Sequence, residues 1–167
     1  MRRSRQSVMA GRWIAVSAVT IVGLLATGMW CVGFWPFVSS PDLMSAEMHH
    51  LICDRYVDSV KLTQIARFDW DRVVILTPYA DRQMAEHGLG FSWPGYSWHE
   101  NALESEGYDV LIFVKGKEIA RVIDHPRNNG DFSDNLSGKS LTRNDASFAI
   151  RRRGSDCWAT LDLQTTR

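Results

Sequence analysis

"RFDWDRVVILTPYA" occupies residues 67–80, and its reading decides how the rest of the chain is laid out. Val73 to Leu76 form an uninterrupted apolar run, and Val110 to Val114 form a second, each bounded by charged or turn residues. Such runs predict strands covered on both faces, the centre of a sheet. Between them, Ala80 to His87 predicts a short helix closed by Gly88. At the start of the first strand Phe68 and Trp70 alternate with Asp69 and Asp71, so the aromatics are expected to face the core while the acids stay in water. The sharper alternative makes Asp69 and Asp71, which share one strand face, a paired acid and base or the holders of a cation.

Working outward, Lys115-Gly116-Lys117 predicts a turn into a strand over 118–124. A second hairpin is expected from 146–152 and 157–163 around Gly154-Ser155-Asp156, with Cys157, Ala159, Leu161 and Leu163 on its inner face. Met44, Met48, Leu51, Ile52 and Tyr56 recur on one helical face, predicting a helix over 42–57 with Ser40 as N-cap, Pro41 at its first position and Asp42 in its first turn. Residues 126–145 carry few apolar side chains and many turn formers, and read as a long structureless connection. The fold class is α+β, with about five mostly antiparallel strands and helices on one face.

From Trp13 to Pro41 there is no charged residue, and Ile14 to Phe34 alone supplies 21 positions, enough to cross a bilayer core of about 30 Å. Arg2, Arg3, Arg5 and Arg12 precede this run and place the N-terminus on the cytoplasmic side, while Trp30, Phe34, Trp35 and Phe37 suit the far headgroup layer. Ala26-Thr27-Gly28 resembles a leader cleavage site, but the run exceeds the roughly 7–15 apolar residues of a leader, so an uncleaved anchor is expected. The expected organisation is a basic tail at 1–12, one transmembrane helix at 13–38, and an extracytoplasmic domain at 42–167 held at the inner membrane. With the four N-terminal arginines set aside, 15 basic side chains meet 19 acidic ones, which argues against nucleic acid as a partner. The partners expected are the membrane, through the anchor, and an envelope protein or glycan.

Outside the cytoplasm Cys53 and Cys157 form a natural disulfide pair, with two free thiols as the alternative. His49, His50, Cys53 and Asp54 share helical offsets that can gather zinc ligands, but no second ligand pair accompanies them, so no metal or other cofactor is expected. FSWPGYSWHEN, residues 91–101, places Trp93, Tyr96, Trp98, His99 and Glu100 in an expected loop, where aromatic faces can hold a sugar or a peptide. His125, beside Asp124 and followed by Arg127, is a second candidate for binding, or the base of a hydrolase if a nucleophile lies near. No nucleophile-elbow motif accompanies it. Asn128, Asn129, Asp131, Asp134 and Asn135 are oxygen-rich but lack EF-hand spacing, and Arg151-Arg152-Arg153 reads as a solvated hairpin tip.

FDWDRVVILTPYA together with DVLIFVKGKEIARVIDHPRNNGDF resembles a group of small uncharacterised bacterial proteins that carry an export-type N-terminus and an "fDWDrvyiltPY" segment. The resemblance covers roughly residues 60–150 and implies a small exported bacterial domain, with no catalytic residues to carry over. The lipoprotein members' lipid-modified cysteine has no credible counterpart at Cys31. The expected function is a membrane-tethered binding module; the alternative is an envelope hydrolase or metal-dependent enzyme using Asp69 and Asp71, or His99 and His125.

Overall fold

The apolar runs at Val73 and Val110 are the centre of the molecule in the computed structural model, which describes residues 42–154 and 157–164. Strands β2 (Arg72–Leu76) and β3 (Tyr108–Lys115) pair antiparallel in a four-stranded sheet ordered β4-β3-β2-β6, with β4 at Glu118–Pro126 and β6 at Ser140–Thr142. Alternation along these strands sends side chains into two separate cores. Val73, Ile75, Leu111 and Phe113 pack with Phe148 and Leu161, whereas Val74, Leu76, Val110 and Ile112 pack with Ala85, Leu89 and Leu103. A continuous apolar run is what a strand covered on both faces needs, even though this sheet is antiparallel.

The second sheet is ordered β1-β7-β8-β5, from β1 (Ser59–Lys61), β5 (Asp131–Phe132), β7 (Ser147–Arg152) and β8 (Ala159–Leu163). Among the described strands only β5 and β8 run parallel. The fold is α+β and mostly antiparallel, with eight strands among the described residues in place of the expected five or so. The additional ones, β1, β5 and β6, have three, two and three residues, too few for periodicity to register. The helices also cover both faces of the central sheet, not one. Helix α1 (Leu43–His49) joins the core on the Val73 side, and α3 (Arg82–Leu89) and α4 (Tyr96–Leu103) join the other. A one-turn helix α2 (Leu62–Ile65) follows β1.

Local sequence explains where these elements begin and end. Asp42 is the N-cap of α1, its carboxylate accepting from the Met44 amide at 2.8 Å, so the helix begins later than a Ser40 cap implies. It continues as a π-helical turn, His50–Asp54, and Tyr56 beyond it is exposed rather than part of the apolar face. Helix α3 is capped by Asp81 and stops at the left-handed Gly90, φ +73°, not at Gly88. Gly88 lies inside the helix because a Cβ there would stand 2.5 Å from the Gly138 carbonyl oxygen. Arg72, from the start of β2, donates to the carbonyls of Gly88 and Leu89 and so satisfies the end of α3.

Residues 126–145 are not structureless. They contain two 3-10 turns, β5 and β6, anchored by the buried Phe132, Leu136 and Leu141. The expected tail and anchor lie outside the described residues, as do Ser40, Pro41, Ser155 and Asp156. Among the described residues no helix is long and apolar enough to cross a membrane.

Candidate functional site

Strand β4 is an edge strand, paired with β3 alone among the described residues. A groove of about 610 Å³ runs along that edge. Val122, Ile123 and Asp124 all line it although successive strand residues point to opposite faces, which only a groove following the strand's own edge permits. One wall is the start of α1, with Asp42, Ser45 and Ala46; the other is α4, with His99, Asn101 and Ala102. Tyr108, Pro126 and Asn129 complete it, and among the described residues no arginine or lysine lines it.

Of the five candidate residues in the aromatic segment His99 alone lines the groove, joined by Asn101 from the end of the same segment. The His99 ring stacks on Trp93, 5.6 Å between centroids, and its Nδ1 hydrogen-bonds the Asp124 carboxylate at 2.6 Å. Because residues 96–103 form a helix and not a loop, the other candidates divide between its two sides, Trp93 and Tyr96 packing inward with His99, and Trp98 and Glu100 turning out. Tyr96 and Leu103, seven residues apart, take the inner face, and the Tyr96 hydroxyl donates to the Ala80 carbonyl. Trp93 is buried beside Tyr96, while Trp98 and Glu100 face solvent, Trp98 at 84 % exposure.

His125, the second binding candidate, is fully buried within β4. Its Nε2 bonds the Gly130 carbonyl, which can only accept, so Nδ1 is the bare nitrogen and receives the Ser45 hydroxyl, each at 2.8 Å. Burial pushes this imidazole down to about 4. Opposite it on β3, Asp109 is also fully buried; one carboxylate oxygen accepts from the Phe132 amide at 3.0 Å and the other has no partner. Burial raises this carboxyl to about 7, against the lowering effect of the Phe132 bond. Arg127 lies away from the groove, donating to Asp131 at 2.6 Å and to the Glu106 carbonyl.

The other candidates are held in structural pairings. Lys115 stands 2.8 Å from Asp71 and 3.2 Å from Asp69, so an ammonium occupies the space a bound cation would need. The Lys115 bond, followed by that of the Gly116 amide, holds the Asp71 carboxyl below its ordinary range. Phe68 and Trp70 do act as inner anchors, both packing edge-on against Phe113. His50 pairs with Asp54, Asp131 is taken by Arg127, and among the described residues no three ligating side chains gather around a metal position.

The arginine tip is largely engaged: Arg151 pairs with Asp162, and Arg152 donates to the Ile52 and Val57 carbonyls. Cys157 is exposed rather than inward, and both thiols are free. Cys53 Sγ approaches the Cys157 carbonyl oxygen at 3.8 Å. Desolvation, followed by a side-chain hydrogen bond with the Cys157 thiol, pushes the Cys53 thiol up to about 11.

The sequence points to neither Ser45 nor Tyr108, and it offers Asp42 only as a helix-start acid and Asn129 only as one of several oxygen-rich turn residues. Ser45 gives no local signal, since it meets His125 only through tertiary packing, 80 residues apart in sequence. Asp124 was in view beside His125, but strand alternation separates the two: one turns toward the groove and α4, the other into the core. The architecture defines an α+β domain with two sheets and an open groove at a sheet edge. No family model matches the chain, and neither a curated protein nor a solved structure is detectably similar to it.

Proposed function

We propose that the chain is a membrane-tethered binding module whose domain works outside the cytoplasm and holds an envelope protein or glycan in the groove along β4. The observation that carries this reading is the groove, about 610 Å³ between α1 and α4, a size and concavity typical of recognition sites. Trp98 stands fully in solvent beside the groove-lining His99, the kind of aromatic anchor that dominates interface energetics. The four N-terminal arginines followed by an uncharged apolar run support the tether and its orientation. The resemblance of residues 60–150 to small exported bacterial proteins belongs to the same reading.

Hydrolysis has one observation in its favour, the Ser45 hydroxyl donating to His125. A fully buried imidazole held near 4 is a weak base at neutral pH, and Asp124 orients His99, not His125. The two halves of a triad therefore belong to different pairs, and binding is the better reading.

Trp98 tests it directly. Because the side chain is 84 % exposed, Trp98→Ala should leave stability within about 0.5 kcal/mol, while in-cell cross-linking to the partner falls at least several-fold. Unchanged cross-linking, or an ester hydrolysis activity that disappears in Ser45→Ala, rejects the binding module.

A further inference from the structure

We infer that the groove's occupant is an extended polypeptide segment that adds as a strand to the outer edge of β4 and sets a cationic side chain between Asp42 and Asp124. The inference rests on the binding-module reading and names its partner class.

Three features point to a peptide over a sugar ring. The groove follows a sheet edge, where main-chain donors and acceptors are presented in a row, and strand addition is a recurring way to use such a row. Residues from both faces of β4 line it, Ile123 on one side and Val122 with Asp124 on the other, so alternate side chains of an added strand would meet the α1 wall and the α4 wall in turn. Its charged lining is wholly acidic. Among the described residues Asp42 has a single ion pair, a long one of 4.0 Å to Arg121, and Asp124 has the His99 ring. A lysine or arginine on the incoming strand supplies the charge the lining lacks. Pro126 ends the strand and Arg127 turns the chain away, which limits the added segment to the length of Glu118–His125.

The test uses the full chain in lipid nanodiscs and amide hydrogen exchange along β4. The probes are pools of nine-residue peptides, randomised except for a central lysine or a central glutamate, and lysine pools N-methylated at odd or at even positions. The lysine pool should slow exchange along Glu118–His125 at least tenfold. The glutamate pool should need about tenfold higher concentration, one N-methylated pool should fail to protect, and Asp124→Asn should erase the lysine preference.

The inference is overturned if the lysine pool leaves β4 exchange unchanged, or if both N-methylated pools protect equally. It is also overturned if the β4 edge is already protected in the free chain, as a second copy or the residues before Asp42 lying on it would cause. A photo-cross-linker at Tyr108 separates this from failure of the broader reading. Cross-linked partner without peptide protection rejects strand addition and leaves the module standing; no cross-linked partner and no effect of Trp98→Ala reject both.

Discussion

His125 and Asp109 lie opposite each other on β4 and β3, fully buried, and burial works against the charged form of each. Their consequences for stability have opposite sign. Asp109 titrates at about 7 in the fold and in the ordinary carboxylate range when unfolded, so between those values the native state keeps a proton that the unfolded chain has lost. Stability falls as pH rises through that window and levels off above it. His125 titrates at about 4 in the fold and near 6.5 when unfolded, so the unfolded chain holds the extra proton and stability rises between pH 4 and 6.5. Asp131, Arg127 and Asp134 bear on Asp109, and Asp42 and Asp131 bear on His125.

With both groups present the slopes largely cancel. Asp109→Asn should therefore expose a rise in unfolding free energy from pH 4 to 6.5, and His125→Gln a fall from about pH 4 to 7, each on the order of 3 kcal/mol. Denaturant titrations across that pH range check this, and parallel profiles for the wild type and both variants reject the two buried groups as its source.

Among the elements, helix α3 separates two uses of glycine within three residues. Gly90 ends the helix in a left-handed conformation with open space around it, whereas Gly88 lets the helix approach the Gly138 backbone. Alanine is the better helix former by about 1 kcal/mol, yet Gly88→Ala should destabilise by about 1–3 kcal/mol because the obstacle is a backbone carbonyl that cannot rotate aside. Thermal unfolding checks the value, and a stabilised variant means that α3 does not seat against residue 138. The same close approach explains why sequence reading placed the helix end at Gly88. A glycine near the end of a helix reads as a cap, and only the neighbouring loop shows that it is a contact. Helix α4 was hidden for a related reason, since Pro94-Gly95 and five nearby aromatic or histidine side chains look like a recognition loop until the burial of Tyr96 and Leu103 shows which face is inward.

For the whole molecule, the tether and the cysteine pair depend on the same compartment. Protease added to spheroplasts should digest the domain from residue 42 onward and leave the N-terminal segment protected; a domain that survives while external controls are cut reverses the topology. On the proposed location of the domain outside the cytoplasm, Cys53 and Cys157 are proposed to join, releasing two protons and two electrons to a disulfide oxidant. Closing so long a loop would stabilise the fold by about 4–5 kcal/mol on a chain-entropy argument. Non-reducing peptide mapping should recover Cys53 and Cys157 in one linked fragment, and both residues alkylated without reductant would refute the pairing.

What the sequence determined by itself follows from local periodicity. Two apolar runs specified β2 and β3, alternation around Trp70 specified which side chains turn inward, and Lys115-Gly116-Lys117 specified the turn between β3 and β4. Each of these signals is carried by the residues that make the element. Tertiary structure alone decided β1, β5 and β6, which are held in place by neighbouring strands that satisfy their hydrogen bonds, not by any pattern of their own. It also decided the site, because the groove is the space left where α1, α4 and the edge of β4 meet, and Asp42, Ser45, His99 and Asp124 come together only when three elements distant in sequence are packed.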